Sequence, residues 1–279
     1  MNFDGIIEDL AKKCEPSEKD FDYYKDGLLI CGKCNTPKEC VIEILGTLRK
    51  FGCMCKCQSE EYRAMQEQIR QKEEFERIGR LRTQGIQDRC YFNWTFENDD
   101  GRNPQQMDKA MRYCLRWEEM YRDNIGLLLW GDVGTGKTFF AACIANYLID
   151  RGVPVLMTNF IRLANALTGR FEDDRNAFTR SLDNYKLLII DDLGAERQSD
   201  YMLEQVYNII DSRYKNGQPL IVTTNLPLSE IKNPSDIKYS RIYSRIIEMC
   251  VPIRFEGSDG RKEVFNLKLE KAKKLFGGD

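Results

Sequence analysis

The stretch GDVGTGKT at 131–138 carries residue types and a spacing that point to phosphate chemistry. Its glycines let a loop wrap a phosphate with its own N–H groups. The apolar run GLLLW (126–130) before it reads as a buried strand. TFFAACIANYLIDRG (138–152) after it reads as a helix closed by Gly152, whose dipole adds positive charge at the same point. Gly131, Asp132, Val133, Gly134, Thr135, Gly136, Lys137 and Thr138 together form a candidate nucleotide-phosphate loop. Lys137 would reach the β- and γ-phosphates of ATP, and Thr138 would hold Mg²⁺. A second apolar run, LLIIDD (187–192), ends in two acids at the carboxyl edge of a predicted strand, where ligands sit in open parallel sheets. Asp191 is the candidate Mg²⁺ ligand, usually through water, and Asp192 the carboxylate that polarises an attacking water. Nearby Glu196 either assists or is a plain surface acid.

The next strand, PLIVTTN (219–225), ends in Asn225. This residue is either an ordinary turn-former or a sensor that hydrogen-bonds the γ-phosphate or the lytic water. Further on, Arg241 and Arg245 stand four apart and share one face of a predicted helix. An arginine projecting into a neighbouring subunit's ATP stabilises phosphoryl charge; a salt bridge within the subunit is the plainer alternative.

A different chemistry gathers at the other end of the chain. Seven of the eleven cysteines fall in the first 57 residues, including CGKC at 31–34 and GCMCKC at 52–57, and the chain contains no histidine. Two close pairs about twenty residues apart fit a four-thiolate zinc site. Cys31 and Cys34 make the first pair. Cys40, Cys53, Cys55 and Cys57 compete for the second. A segment this short has little core of its own, and zinc supplies folding energy that it lacks.

The elements that must position these residues follow from periodicity. Residues 58–83, rich in Glu, Gln and Arg with apolar residues mostly at three- or four-residue steps, predict a helix. Beyond about residue 90, strands at 126–130, 153–158, 186–191 and 219–225 alternate with helices at 138–152, 161–171 and 199–217. That alternation predicts an α/β fold, a parallel sheet flanked by helices. The expected organisation is a Cys-rich module over 1–57, a helical linker over 58–88 and an ATPase domain over 89–279. Net charge is −2, so a nucleic-acid contact needs a local patch. The sequence shows no transmembrane run and no signal peptide, and the expected location is the cytoplasm, with no membrane partner.

GDVGTGKT, LLIIDDLGAE, IVTTN and RIYSRI together resemble the AAA+ ATPases of the bacterial replicative helicase loaders of the DnaC/DnaI type, a broad group that includes IstB-type transposition ATPases. The resemblance is strong over roughly 88–265 and looser over the N-terminus. It implies an AAA+ P-loop core with little or no lid domain, preceded by a small zinc-binding module and a linker helix. It implies Asn225 as sensor one, Arg245 as arginine finger and Arg241 as the basic residue one turn before it. FEGSDGR (255–261) is similar to the loaders' final segment, with Asp259 where the family tends to have Ser, which makes Arg261 a sensor-two residue. TFEN (95–98) is similar to the segment near the adenine. CKCQ resembles the end of the loaders' module and selects Cys55 and Cys57 as the second zinc pair. Many relatives of the fold carry Glu at the position of Asp192, so turnover is expected to be slow.

The function implied is ATP-dependent loading of the replicative DNA helicase hexamer onto single-stranded DNA, with ATP-dependent self-association. The cofactors implied are ATP, Mg²⁺ and Zn²⁺. Lys232, Lys238, Tyr239 and Arg241 are the candidate DNA contacts. Two alternatives share the core: an IstB-like transposition regulator on duplex DNA, and a nucleotide-gated adaptor with negligible turnover. A small-molecule kinase fits poorly, because no acceptor-binding lid is visible.

Overall fold

The computed structural model describes residues 18–19, 21–44, 46–167, 172–194, 200–234, 236–257 and 259–277. Cys14 and Glu196 lie outside them. The chain divides into two compact units, with the boundary between Phe75 and Glu76.

In the first unit, strands β1 (Tyr23–Lys25) and β2 (Leu28–Ile30) pair antiparallel across Asp26-Gly27. Both turn residues have positive φ, the backbone that a two-residue hairpin requires. Strands β3 (Glu39–Ile44) and β4 (Thr47–Gly52) form a second antiparallel pair. Helix α1 (Lys56–Gly85) begins between the last two cysteines of the GCMCKC run. Among the described residues, apolar burial is scant, with Leu29, Ile30, Cys31 and Cys55 inside. The interior also holds an ion pair, Lys38 Nζ to Asp22 Oδ2 at 2.6 Å, with both side chains almost wholly enclosed. Asp22 also accepts the backbone N–H of Gly32 at 3.2 Å. A Cβ at Gly32 would meet the Phe21 carbonyl oxygen at 1.8 Å, so the residue after Cys31 must be glycine.

The second unit continues with α2 (Pro104–Leu115), α3 (Trp117–Arg122), β5 (Gly126–Gly131), α4 (Lys137–Ile149), β6 (Val155–Asn159), α5 (Phe160–Leu167) and α6 (Glu172–Leu182). It is completed by β7 (Leu187–Leu193), α7 (Asp200–Lys215), β8 (Leu220–Thr224), α8 (Leu228–Lys232), α9 (Ile237–Met249), β9 (Cys250–Phe255) and α10 (Gly260–Phe276). The five strands β5 to β9 form one sheet in the order β6-β7-β8-β5-β9, every pair parallel. Strand residues alternate between two cores. Leu127, Leu129, Leu187, Ile189 and Ile221 pack with α2 and α4, whereas Leu128, Leu188, Ile190, Leu220 and Val222 pack with α5, α7 and α9. Helix α4 is buried on nearly every side, which explains its apolar run. β8 lies between β7 and β5 although both precede it in sequence. The chain therefore switches direction here, and a crevice opens at the strands' carboxyl ends.

One buried cation fixes the opposite ends of the central strands. Arg213, on the last turn of α7, is fully enclosed, and its guanidinium donates to the carbonyls of Leu182, Tyr185, Lys186 and Pro219 at 2.6–3.3 Å. Burial pulls its pKa down to about 10.

Helix α6 and strand β9 were not expected from sequence. The helix is polar and only weakly periodic. The strand, CVPIRF, contains Pro252, which argues against a central strand; among the described residues β9 is an edge strand and pairs only with β5.

Candidate functional site: a phosphate-loop cleft and a four-cysteine cluster

The turn after β5 is built for close approach to a ligand. Gly134 (φ +78°) and Gly136 (φ +97°) take the left-handed backbone, and Gly136 caps α4. A Cβ at Gly134 would fall 1.8 Å from Oδ1 of Asp259, which itself caps α10, and the Gly260 N–H donates to the Gly134 carbonyl at 3.1 Å. The loop is braced from its other side: Asn103 Nδ2 donates to the Thr135 carbonyl at 2.9 Å. Lys137 is buried and donates to the carbonyls of Gly131 (2.8 Å) and Asp132 (2.6 Å). Burial pulls its pKa down, against the opposing pull of Asp192.

The acids arrive from β7. Asp191 Oδ1 accepts the Thr138 hydroxyl at 3.0 Å and the Thr223 hydroxyl at 2.6 Å. Burial raises the Asp191 pKa, while the two hydroxyls hold it back. Asp192 has φ +62°, and its side chain accepts from Asn225 Nδ2 at 3.0 Å. One cleft of about 1140 Å³ therefore brings together Gly134, Lys137, Thr138, Asp191, Asp192 and Asn225, with Arg261 at its rim. Thr223 and Asn103 also line it. Sequence reasoning passed over both, although strand alternation places Thr223 on the face of Asn225.

The aromatic wall comes from Tyr91 and Trp94, just ahead of the 95–98 segment, whose own residues do not line the cleft. The two rings lie 4.4 Å apart, and Asn146 on α4 holds their backbone by donating to the carbonyls of Tyr91 (2.8 Å) and Trp94 (3.0 Å). Arg241 and Arg245 do not line the cleft of their own chain. Arg241 is exposed, and Arg245 pairs with Asp211 at 3.2 Å and Glu248 at 3.5 Å. Lys232 and Lys238 are exposed. Tyr239 stacks on Tyr243 at 5.5 Å and is partly buried, which limits it as a platform for a base.

The residues fit the groups that such a cleft takes. Left-handed glycines, a lysine and a helix N-terminus suit phosphate. A hydroxyl beside a carboxylate is a hard-oxygen set suited to Mg²⁺.

In the first unit, the sulfurs of Cys31, Cys34, Cys55 and Cys57 all lie within 4.8 Å of one another, with Cys31–Cys57 at 3.6 Å and Cys55–Cys57 at 3.3 Å. Tetrahedral zinc with bonds of ~2.3 Å requires sulfurs about 3.8 Å apart. The all-sulfur donor set therefore fits zinc. Cys40 and Cys53 stand outside the four. The Thr36 hydroxyl foremost pulls the Cys34 thiol down to about 5, while Cys55 foremost pushes that of Cys57 up to about 12.

Comparisons with known proteins agree with this architecture. The chain is 29% identical over 148 residues to the replicative helicase loader DnaC of Buchnera aphidicola subsp. Schizaphis graminum, which covers 51% of this chain and 60% of that protein. It is 27% identical over 150 residues to the replicative helicase loader DnaI of Bacillus subtilis, covering 49% of this chain and 47% of that protein. The chain thus spans about half to three fifths of these relatives' length. The crystal structure of a DnaC helicase loader, 24% identical, matches 61% of this chain and all of its own with a TM-score of 0.50, which speaks for the fold alone. Residues 56–263 match the family described as IstB-like ATP binding protein. The chain therefore shares its α/β fold with the DnaC helicase loader and belongs to the family of IstB-like ATP binding proteins.

Proposed function

We propose that the chain is an ATP-driven loader of the replicative DNA helicase, working in the cytoplasm. It would bind and slowly hydrolyse ATP to control how the helicase ring is held and placed on single-stranded DNA. The observation that carries the hydrolytic half is the convergence of Lys137, Thr138, Asp191, Asp192 and Asn225 on one cleft. Bound Mg²⁺ would neutralise phosphate charge, with Thr138 and Asp191 as the residues that hold it. Lys137 would exchange its loop carbonyls for phosphate oxygens, and Asp192 would take up the proton of the attacking water while Asn225 orients its carboxylate. Asp192 has a shorter reach than Glu, which favours slow turnover. Arg261, at the cleft rim, serves as a sensor of bound nucleotide.

Arg245, and Arg241 one turn before it, would act in a neighbouring subunit's cleft, which makes self-association dependent on ATP. The four-cysteine cluster would hold zinc and, with the helix that follows, present the helicase-docking module. The domain assignment over 1–57, 58–88 and 89–279 belongs to the same reading. The relatives named as helicase loaders support it at 27–29% identity.

Native mass spectrometry of the purified chain with the replicative helicase of its source bacterium, with and without ATP, tests the loader role. A complex of defined stoichiometry is expected. Its absence in both conditions would shift the reading to a transposition regulator on duplex DNA or to a nucleotide-gated adaptor.

A further inference from the structure

The carboxyl end of β7 does not pair regularly with β8. Ile190 stands opposite Val222 and Leu193 opposite Thr224, so Asp191 and Asp192 together face the single residue Thr223. Two residues against one is a β-bulge, and a bulge leaves a backbone group without its ladder partner. Here the missing partner is a side chain. The Asp192 N–H donates to the Thr223 hydroxyl at 2.8 Å, and that hydroxyl donates onward to Asp191 Oδ1 at 2.6 Å. A threonine hydroxyl has one proton to give, and Thr223 spends it on one acid while accepting from the other's backbone. Thr223 is 2% exposed. With its proton committed and its surface enclosed, it is poorly placed to touch substrate.

We infer that Thr223 is a positioning residue: its hydroxyl sets the Asp191 carboxylate for magnesium and holds the left-handed Asp192 in line with the attacking water. The neighbouring Thr224 supplies an internal comparison. Its hydroxyl donates to the Leu193 carbonyl at 2.7 Å and is fully buried, so it closes the same bulge without touching either carboxylate. One threonine serves the site and the other serves the strand.

The inference rests on the reading of the cleft as a site of ATP hydrolysis. The test compares T223V, which keeps the shape and removes the hydroxyl, with T223S, which keeps the hydroxyl, and with T224V. Three readouts are needed: steady-state ATP turnover against Mg²⁺ concentration, affinity for a fluorescent ATP analogue with and without Mg²⁺, and thermal melting. In T223V, turnover should fall roughly tenfold to a hundredfold, with the half-saturating Mg²⁺ concentration raised and KM for ATP changed by no more than about threefold, as expected when a supporting hydrogen bond to a metal ligand is lost. T223S should restore most of the rate. T224V should melt earlier and keep the wild-type Mg²⁺ profile. A T223V protein with wild-type turnover and Mg²⁺ dependence overturns the inference, as does a T223S protein as impaired as T223V. Should T223V not fold, T223C, with its weaker hydrogen bonds, reads the same split. If the wild-type chain binds ATP without hydrolysing it, the hydrolytic reading fails by itself. The Mg²⁺-dependent part of analogue affinity then still decides: its loss in T223V supports the role of Thr223, and its retention overturns it.

Discussion

Nε of Arg245 donates to Oδ1 of Asp211 at 3.2 Å, and its guanidinium carbon lies 4.0 Å from the centre of the Tyr214 ring. The arginine on α9 is thereby fastened to α7 of its own chain and held out of its own cleft. On the proposal that Arg245 is a finger for a neighbour's ATP, this anchorage would hold it rigid before the neighbour arrives. Mixing therefore gives a clean test. K137A removes the loop lysine and R245A the proposed finger, so each alone should hydrolyse ATP at well under a tenth of the wild-type rate. Combined, the two should recover part of the lost activity, because one subunit supplies the cleft and the other the arginine. Recovery no greater than the sum of the separate rates would show that Arg245 does not act across subunits.

The same anchorage predicts a pH dependence. Lys215 foremost, at 2.7 Å, then Arg245, pull the Asp211 pKa below its ordinary 3.8. A carboxyl whose folded pKa is depressed contributes stability above its unfolded pKa and loses it as pH falls through the folded value. The gap in melting temperature between wild type and D211N should thus be constant from neutral pH down to about 4 and close below it. A gap unchanged at pH 2 to 3 would mean that the ion pair contributes nothing.

Metal analysis should find about one zinc per chain, as a four-thiolate site requires. C31S, C34S, C55S and C57S should each lose it, and C40S and C53S should keep it. Chelation should unfold the first unit, seen as new protease cleavage before residue 75, since so few apolar residues are buried there. Fluorescent-nucleotide binding by the second unit should persist. Zinc retained by C55S and lost by C53S would exchange those two residues.

Arg213→Met leaves buried carbonyls without their donor, whereas Arg213→Lys keeps a charge that cannot reach all four. Loss on the order of 3 kcal/mol or more is expected for the first and a smaller loss for the second. Denaturant titration of the second unit's transition measures both. A methionine variant as stable as wild type would show that these bonds only offset the cost of burying the cation.

Much of the second unit was legible in the sequence because its strands are short apolar runs buried on both faces and its phosphate loop has fixed spacing. Lys137, Thr138, Asp191, Asp192 and Asn225 were each named from position along the chain, and they meet in space because parallel strands bring their carboxyl ends together. Thr223 was not named: its role depends on a bulge, and no residue type announces that two positions of one strand face one of its neighbour. Strand β9 was hidden by Pro252. Strands β1 to β4 are short and lack apolar alternation, so periodicity does not reveal them. Arg213 reads as a surface cation until the sheet closes around it.

The positive φ of Asp192 has a further consequence for what mutation can reach. A left-handed residue with a side chain carries a cost of about 1 kcal/mol that glycine escapes. Asp192→Gly would relax the backbone and delete the carboxylate in one step; on the proposed role of Asp192, the chain should fold at least as well and lose its turnover. Drift judged on folding alone would drain this position toward glycine. On the proposed reading, the need for the acid opposes that drift, so glycine at 192 would mark a chain that keeps the scaffold without hydrolysis.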